Sequence, residues 1–231
     1  MSLFNRAEVI DQNFTRWVAA GEFPQAKTVI SLPQNDILKT DLISLFESQI
    51  TSRHMDIFAR QLKDSGECFY TIGSSGHEGN AVFGKIFSIE DIAFLHYRSA
   101  PFYLERSRKL HNSTPIYDMA LSFMASSEDP ISGGRHKVIG SDVLNLPPQT
   151  STIASHLPKA VGTAFSIDRA KDLNLTESKL ANESIVLCSF GDASANHATA
   201  LSAFNTACWI SSQGGHVPII FICDDFKFFA I

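Results

Sequence analysis

Two kinds of apolar pattern alternate along the chain. Ile37, Leu38, Leu42, Leu45, Phe46, Ile50, Ile57 and Phe58 recur at helical spacing between Asn35 or Asp36, both capping residues, and Gly66, a natural stop. That spacing predicts one long amphipathic helix. Ile185-Val186-Leu187-Cys188 and the later "VPIIFICDD" are instead short unbroken apolar runs, the pattern of strands buried on both faces. In "CFYTIGSSGHEGNAVFGKIF" an aromatic, β-branched run passes through a glycine-serine loop into a helix beginning near His77. "IAFLHYRSAPFYLERSRKL" repeats the arrangement, with a brief apolar run ending at Tyr97 and Arg98 and a helix opened by Pro101. A further helix in "TSTIASHLPKAVGTAFSIDRAKDL" puts Ala154, Leu157, Val161, Ala164 and Phe165 on one face, and its small residues permit close packing on a sheet. The alanine-rich segment after Gly191-Asp192 reads as another. Strands alternating with helices predict an α/β fold, a parallel, right-handed sheet flanked by helices. "ASSEDPISGGRHKVIGSDVLNLPPQT" has no period and reads as a long loop, a length usually tied to function or mobility.

Composition then narrows the partners. With 231 residues and 44% hydrophobic content the chain has material for one large α/β domain or two small ones. A net charge of −5 without a basic cluster argues against nucleic acid or an anionic membrane as partner. Cys68, Cys188, Cys208 and Cys223 form no CxxC pair, and three lie in apolar runs, as expected of buried thiols in a reducing compartment. "MSLFNRAEVIDQNF" carries early acidic residues and no long apolar region, so no secretory signal is expected, and no stretch reaches membrane-span length. These features together predict a cytoplasmic protein.

The chemistry concentrates at the predicted strand ends. Gly191 and Asp192 close one apolar run and Asp224-Asp225 close the next, so two neighbouring βα units each offer a carboxylate where ligands of open α/β sheets bind. Oxygen donors of this kind suit Mg²⁺, which commonly bridges to a phosphate. Arg98, beside Tyr97, would hold that phosphate through its guanidinium fork. Asp192 as a mere helix cap is the plain alternative. Neither the Gly-x-Gly-x-x-Gly of dinucleotide folds nor a Walker loop is present, which leaves a diphosphate cofactor other than NAD or ATP as the expectation.

Five segments, in order from about residue 35 onward, resemble the α subunit, or α half of fused chains, of thiamine-diphosphate-dependent 2-oxo acid dehydrogenases, the E1 components. "GDASANHATALSAFNTA" is similar to the family's thiamine diphosphate motif, "HYRSA" to its diphosphate-gripping Tyr-Arg segment, and "TSTIASHLPKAVGTAFS" to its Ser-x-x-x-Ala-x-x-x-Pro-x-Ala-x-Gly helix. "SSGHEGNAV" and "SGGRHKVIGS" are similar to two active-site loops. The resemblance implies the thiamine diphosphate-binding fold, with residues 1–34 as an N-terminal extension and 35–231 as a diphosphate-binding domain incomplete at its C-terminus. It implies Asp192 as a metal ligand, Gly191, Ala193 and Ser194 around the diphosphate, Tyr97 and Arg98 on its oxygens, Ile153 as the wedge under the thiazolium, and Ser151 on the aminopyrimidine through backbone. His77 and Glu78 are the candidate catalytic pair, with plain helix-start residues as the alternative.

One position departs from the family: its motif closes on asparagine just after Asp225, where this chain has Phe226. Asp225 is therefore the candidate second metal ligand. The implied function is oxidative decarboxylation of a 2-oxo acid on thiamine diphosphate and Mg²⁺, with acyl transfer to a lipoyl-bearing acyltransferase. A β-type E1 domain or subunit would complete the site, within an oligomer. Transketolase-like carbon transfer and a non-catalytic fragment or paralogue are the alternatives. His136, Arg135 and Lys137 would face a substrate carboxylate or form a solvated charge run. His197 would face a subunit contact or substrate, and His156 and His216 are read as structural.

Overall fold

A computed structural model describes residues 6–21, 39–69, 73–136, 138–149, 151–175, 180 and 183–225. The Asn35 or Asp36 cap, Lys137 and the Phe226 position lie outside the described residues. The chain divides into two compact units, Met1–Ser44 and Leu45–Ile231. The first holds helix α1 (Arg6–Ala20) and the opening turns of α2 (Lys39–Asp64). Gly66, at φ 78°, follows the end of α2 in a left-handed conformation that costs glycine nothing.

In the second unit the rest of α2 is followed by a 3₁₀ turn at Glu78–Asn80, α3 (Ala81–Ile86), β1 (Ile92–Phe94), α4 (Ala100–Ser107) and α5 (Pro115–Phe123). After the long loop come α6 (Leu157–Asp172), β2 (Val186–Gly191), a 3₁₀ turn at Asp192–Ser194, α7 (Ala198–Ser212) and β3 (Ile219–Asp224). The three strands are parallel in the order β1-β2-β3, with Ile92 opposite Val186 and Gly191 opposite Asp224. Alternate residues therefore face opposite layers. Ala93, Leu95 and Leu187 join Met55, Phe102, Met119 and Phe123 in one core. Ile92, Phe94, Val186, Cys188 and Phe190 join Leu157, Ala160, Val161, Ala164 and Ala203 in the other. Among the described residues no helix is long and apolar enough to cross a membrane.

Several expectations need correction. The run at β3 is only partly covered: β1 and β3 are both edge strands among the described residues, but β1 is buried and its Ala93 N–H is taken by the carbonyl of Asn145 in the long loop, whereas Ile220 of β3 is left 41% exposed. Apolar residues announce a strand, but its burial depends on what lies beside it. Phe165 is exposed to 38% because α6 turns it away from the stripe of Ala160, Val161 and Ala164 that meets the sheet. Cys68 and Cys188 are buried, whereas Cys208 and Cys223 are exposed, since α7 and β3 form the outer side. Helix α5, unread in the sequence, begins after Thr114 with Pro115 in its first turn. The loop from Ala125 to Gln149 contains a single isolated bridge, Ser141 to Leu146, and no helix or strand among its described residues.

Candidate functional site

Parallel register brings the chemistry to one edge. Because Gly191 pairs with Asp224, the residues that follow, Asp192 and Asp225, leave two adjacent strands at the same level, and both are exposed. Asp192 opens the 3₁₀ turn that also carries Ala193 and buried Ser194. It does not cap α7: that role belongs to His197, whose Nδ1 accepts the N–H of Thr199 at 3.2 Å. The capping alternative for Asp192 is thus replaced, and the exposed His197 has a local role at the start of α7. Ser151 and Ile153 lie in the turns before α6, exposed, with Ile153 at 52%. Ala154 beside them is buried at φ 59°, a left-handed backbone that costs a non-glycine residue about 1–2 kcal/mol and is held by the packing of α6.

The end of β1 supplies Tyr97 and Arg98, both half-buried. The Arg98 guanidinium lies 5.4 Å from the Tyr97 ring centroid and donates Nη1–H to the carbonyl of Gly73 at 2.5 Å. Its side chain is therefore held from two sides in a half-buried position.

His77 is buried and reaches across the edge to Asp224, Nδ1 to Oδ2 at 3.2 Å. A carboxylate only accepts, so Nδ1 carries the proton and Nε2 is the basic atom of the ring. The Asn80 amide donates to the same Asp224 oxygen at 3.1 Å and to Ser99 Oγ at 3.2 Å. Asp224, read from the sequence with Asp225 as a cation ligand, is thus committed to His77 and Asn80. Glu78 heads the same turn, half-buried, and the structure pairs His77 with Asp224 rather than with it.

His96, missed in the sequence, stacks on His77 with ring centroids 4.7 Å apart and planes 19° apart. Burial, reinforced by His77, Arg98 and His156, pushes its pKa down to about 3, so the ring stays neutral. Its backbone N–H donates to Ser189 Oγ at 2.8 Å, and His156 Nε2 donates to the Ser189 carbonyl at 2.8 Å, which gives His156 the structural role expected of it. His77, His96 and Asp224 hold ligand atoms within 4.8 Å of one another. The two stacked rings keep their in-plane lone pairs in near-parallel planes, whereas a metal bound by both would have to lie in both planes at about 2.0–2.1 Å from each nitrogen, so the stack does not favour a shared ion. The adjacency of His96 to Tyr97 and Arg98 was the only signal the sequence offered for it.

Residues 47–228 match the dehydrogenase E1 component family. The chain is 29% identical over 180 residues to the mitochondrial 2-oxoisovalerate dehydrogenase subunit alpha of Caenorhabditis elegans, covering 75% of this chain and 37% of the relative. The mouse counterpart is 27% identical over 195 residues, covering 83% and 38%, and that of Dictyostelium discoideum 23% over 229 residues, covering 96% and 46%. The chain thus spans less than half the length of these curated relatives. Their names also overturn the cytoplasmic expectation: all three are mitochondrial subunits, which points to the mitochondrion, a distinction that composition does not encode. With a family match running from α2 through β3, the chain belongs to the dehydrogenase E1 component family.

Proposed function

We propose that this chain is the diphosphate-gripping part of an E1 enzyme that oxidatively decarboxylates a 2-oxo acid on thiamine diphosphate and Mg²⁺ and passes the acyl group to a lipoyl carrier. The observation that carries the reading is the register of β2 and β3, which sets Asp192 and Asp225 side by side at the edge that also holds Arg98 and His77. The donor chemistry fits: two exposed carboxylates are hard oxygen ligands for Mg²⁺, and an anchored guanidinium suits a diphosphate. When bound, the cofactor supplies the electron sink that lets the bond between carboxylate and carbonyl carbon break. Asp192 and Asp225 would hold the metal and Arg98 the diphosphate, with Tyr97 under the guanidinium. The N–H groups of Ala193 and Ser194 would line the diphosphate side, and Ile153 and Ser151 would meet the organic part of the cofactor. His77, its Nδ1–H committed to Asp224, would hold or release a proton at Nε2, with Glu78 beside it.

A β-type E1 domain or subunit would close the other side of the site, in an assembly with the lipoyl-bearing acyltransferase. The names of the relatives favour a branched 2-oxo acid such as 2-oxoisovalerate. Calorimetric titration with thiamine diphosphate and Mg²⁺ tests the reading. Arg98→Lys keeps the charge but loses the fork, so binding should weaken by about 1–3 kcal/mol. Asp192→Ala should remove the Mg²⁺ dependence. Equal affinity in wild type and both variants would refute the assignment.

A further inference from the structure

The loop that delivers His77 is anchored by a carboxylate on a different helix. Asp56 of α2 is 4% exposed, and its Oδ2 accepts both the backbone N–H of Ser74 at 2.7 Å and the Ser74 hydroxyl at 2.9 Å. Ser52, one turn earlier on α2, lies with Oγ 2.5 Å from Ser74 Oγ and donates to it, since the Ser74 proton is already given to Asp56. Arg53 stands 3.9 Å from Asp56 and also donates to Ser75 Oγ. The loop presses closely on this carboxylate: a Cβ at Gly73 would come within 2.9 Å of Asp56 Oδ2.

Two carbonyls of the anchored loop then reach the site. Gly73 O takes the Arg98 guanidinium at 2.5 Å, and Ser74 O takes the backbone N–H of His77 at 2.8 Å. We infer that Asp56 is a positioning residue: by fixing Ser74 it sets the Arg98 fork and the His77 imidazole relative to the ends of β2 and β3. Asp56 reaches the chemistry only through that loop. Its consequence for cofactor affinity rests on the reading of Arg98 as the diphosphate ligand; its consequence for the loop does not.

The test compares Asp56→Ala, Asp56→Asn and, as a control on the same helix, Ser48→Ala, which removes a 2.6 Å hydrogen bond to Glu105 Oε2 away from the loop. Asparagine keeps an oxygen that accepts the Ser74 N–H; alanine keeps none. Two readouts are taken: amide hydrogen exchange at Ser74 and His77 in the ligand-free protein, and affinity for thiamine diphosphate with Mg²⁺. In Asp56→Ala, exchange should accelerate and affinity should fall, each by about tenfold, the scale of losing a charge-assisted bond. Asp56→Asn should recover most of both, and Ser48→Ala should leave both unchanged even where it lowers Tm. Exchange and affinity in Asp56→Ala equal to those of Ser48→Ala would overturn the inference. Should Asp56→Ala fail to fold, an Asp56→Asn protein with wild-type exchange at Ser74 supports it, and one with exchange as fast as in unstructured chain overturns it. If wild type itself binds no thiamine diphosphate, the functional reading fails while the exchange data still decide the role of Asp56.

Discussion

Replacing Gly84 by alanine sets two effects of opposite sign against each other. Gly84 lies in α3, where alanine should gain up to about 1 kcal/mol of helix propensity. The structure opposes this gain, because the new Cβ would lie 2.5 Å from the carbonyl oxygen of Phe102 and 3.2 Å from the backbone nitrogen of Arg106. Both belong to α4, every residue of which is buried, so neither atom can retreat without moving the helix. Overpacking of a filled interior typically costs about 1–3 kcal/mol, and a backbone obstacle puts Gly84→Ala in the upper part of that range. The net expectation is a loss of about 1–2 kcal/mol, or roughly 2–8 °C in Tm for a chain of this size. Separation of α3 from α4 also lengthens the 3.2 Å bond from Asn80, which precedes α3, to Ser99, which precedes α4, so the site should loosen with the fold. Gly162→Ala is the matched control: Gly162 lies in α6 with nothing within 4 Å of its added Cβ, so there the same substitution should stabilise by about 0.5–1 kcal/mol. Urea denaturation of both variants followed by circular dichroism decides the matter. Stabilisation in both would refute the argument that α3 and α4 meet through Gly84.

Other expectations are independent of this one. His96, ordinarily 6.5 but held near a pKa of about 3, stays neutral in the native protein while the unfolded chain takes up a proton, so stability should fall as pH drops from about 6.5 toward 3, by about 1.4 kcal/mol per pH unit from this group. His96→Phe should flatten the pH dependence of the urea midpoint by one proton's worth, and identical slopes would refute the account. Leu187, fully buried in the middle of the sheet, should cost about 2–5 kcal/mol when replaced by alanine, measured by the same denaturation. In native protein a thiol reagent followed by mass spectrometry should label Cys208 first. Cys223 should be slower, because partial burial and the carboxylates of Asp192, Asp224 and Asp225 raise its thiol pKa, and Cys188, pushed up to about 12 by burial, should resist until unfolding.

Local periodicity was enough for the elements that bury a full stripe or a full run. The long α2, the α6 face of Leu157, Val161 and Ala164, and the run at Val186–Cys188 are patterns of neighbours in the chain, and neighbours are what a sequence displays. Helix α5 escaped because only Met119, Ser122 and Phe123 of its nine residues are buried, too few to imprint a period. Its start, Thr114-Pro115, was the readable sign. The candidate residues at strand ends were legible for the same local reason: Tyr97 and Arg98 follow one apolar run, and Asp192 and Asp225 follow two others.

Which of those residues meet was decided by tertiary structure alone. His77 and Asp224 are 147 positions apart, and their bond depends on how α2 anchors one loop and how β3 pairs with β2. The same pairing separates two adjacent aspartates, because Asp224, the last residue of β3, is buried against His77 and Asn80, while Asp225, the first residue beyond the strand, is left at the open edge. Likewise an apolar run such as Ile219–Cys223 carries its strand propensity within itself, but its burial belongs to the neighbours that the fold places, or does not place, beside it.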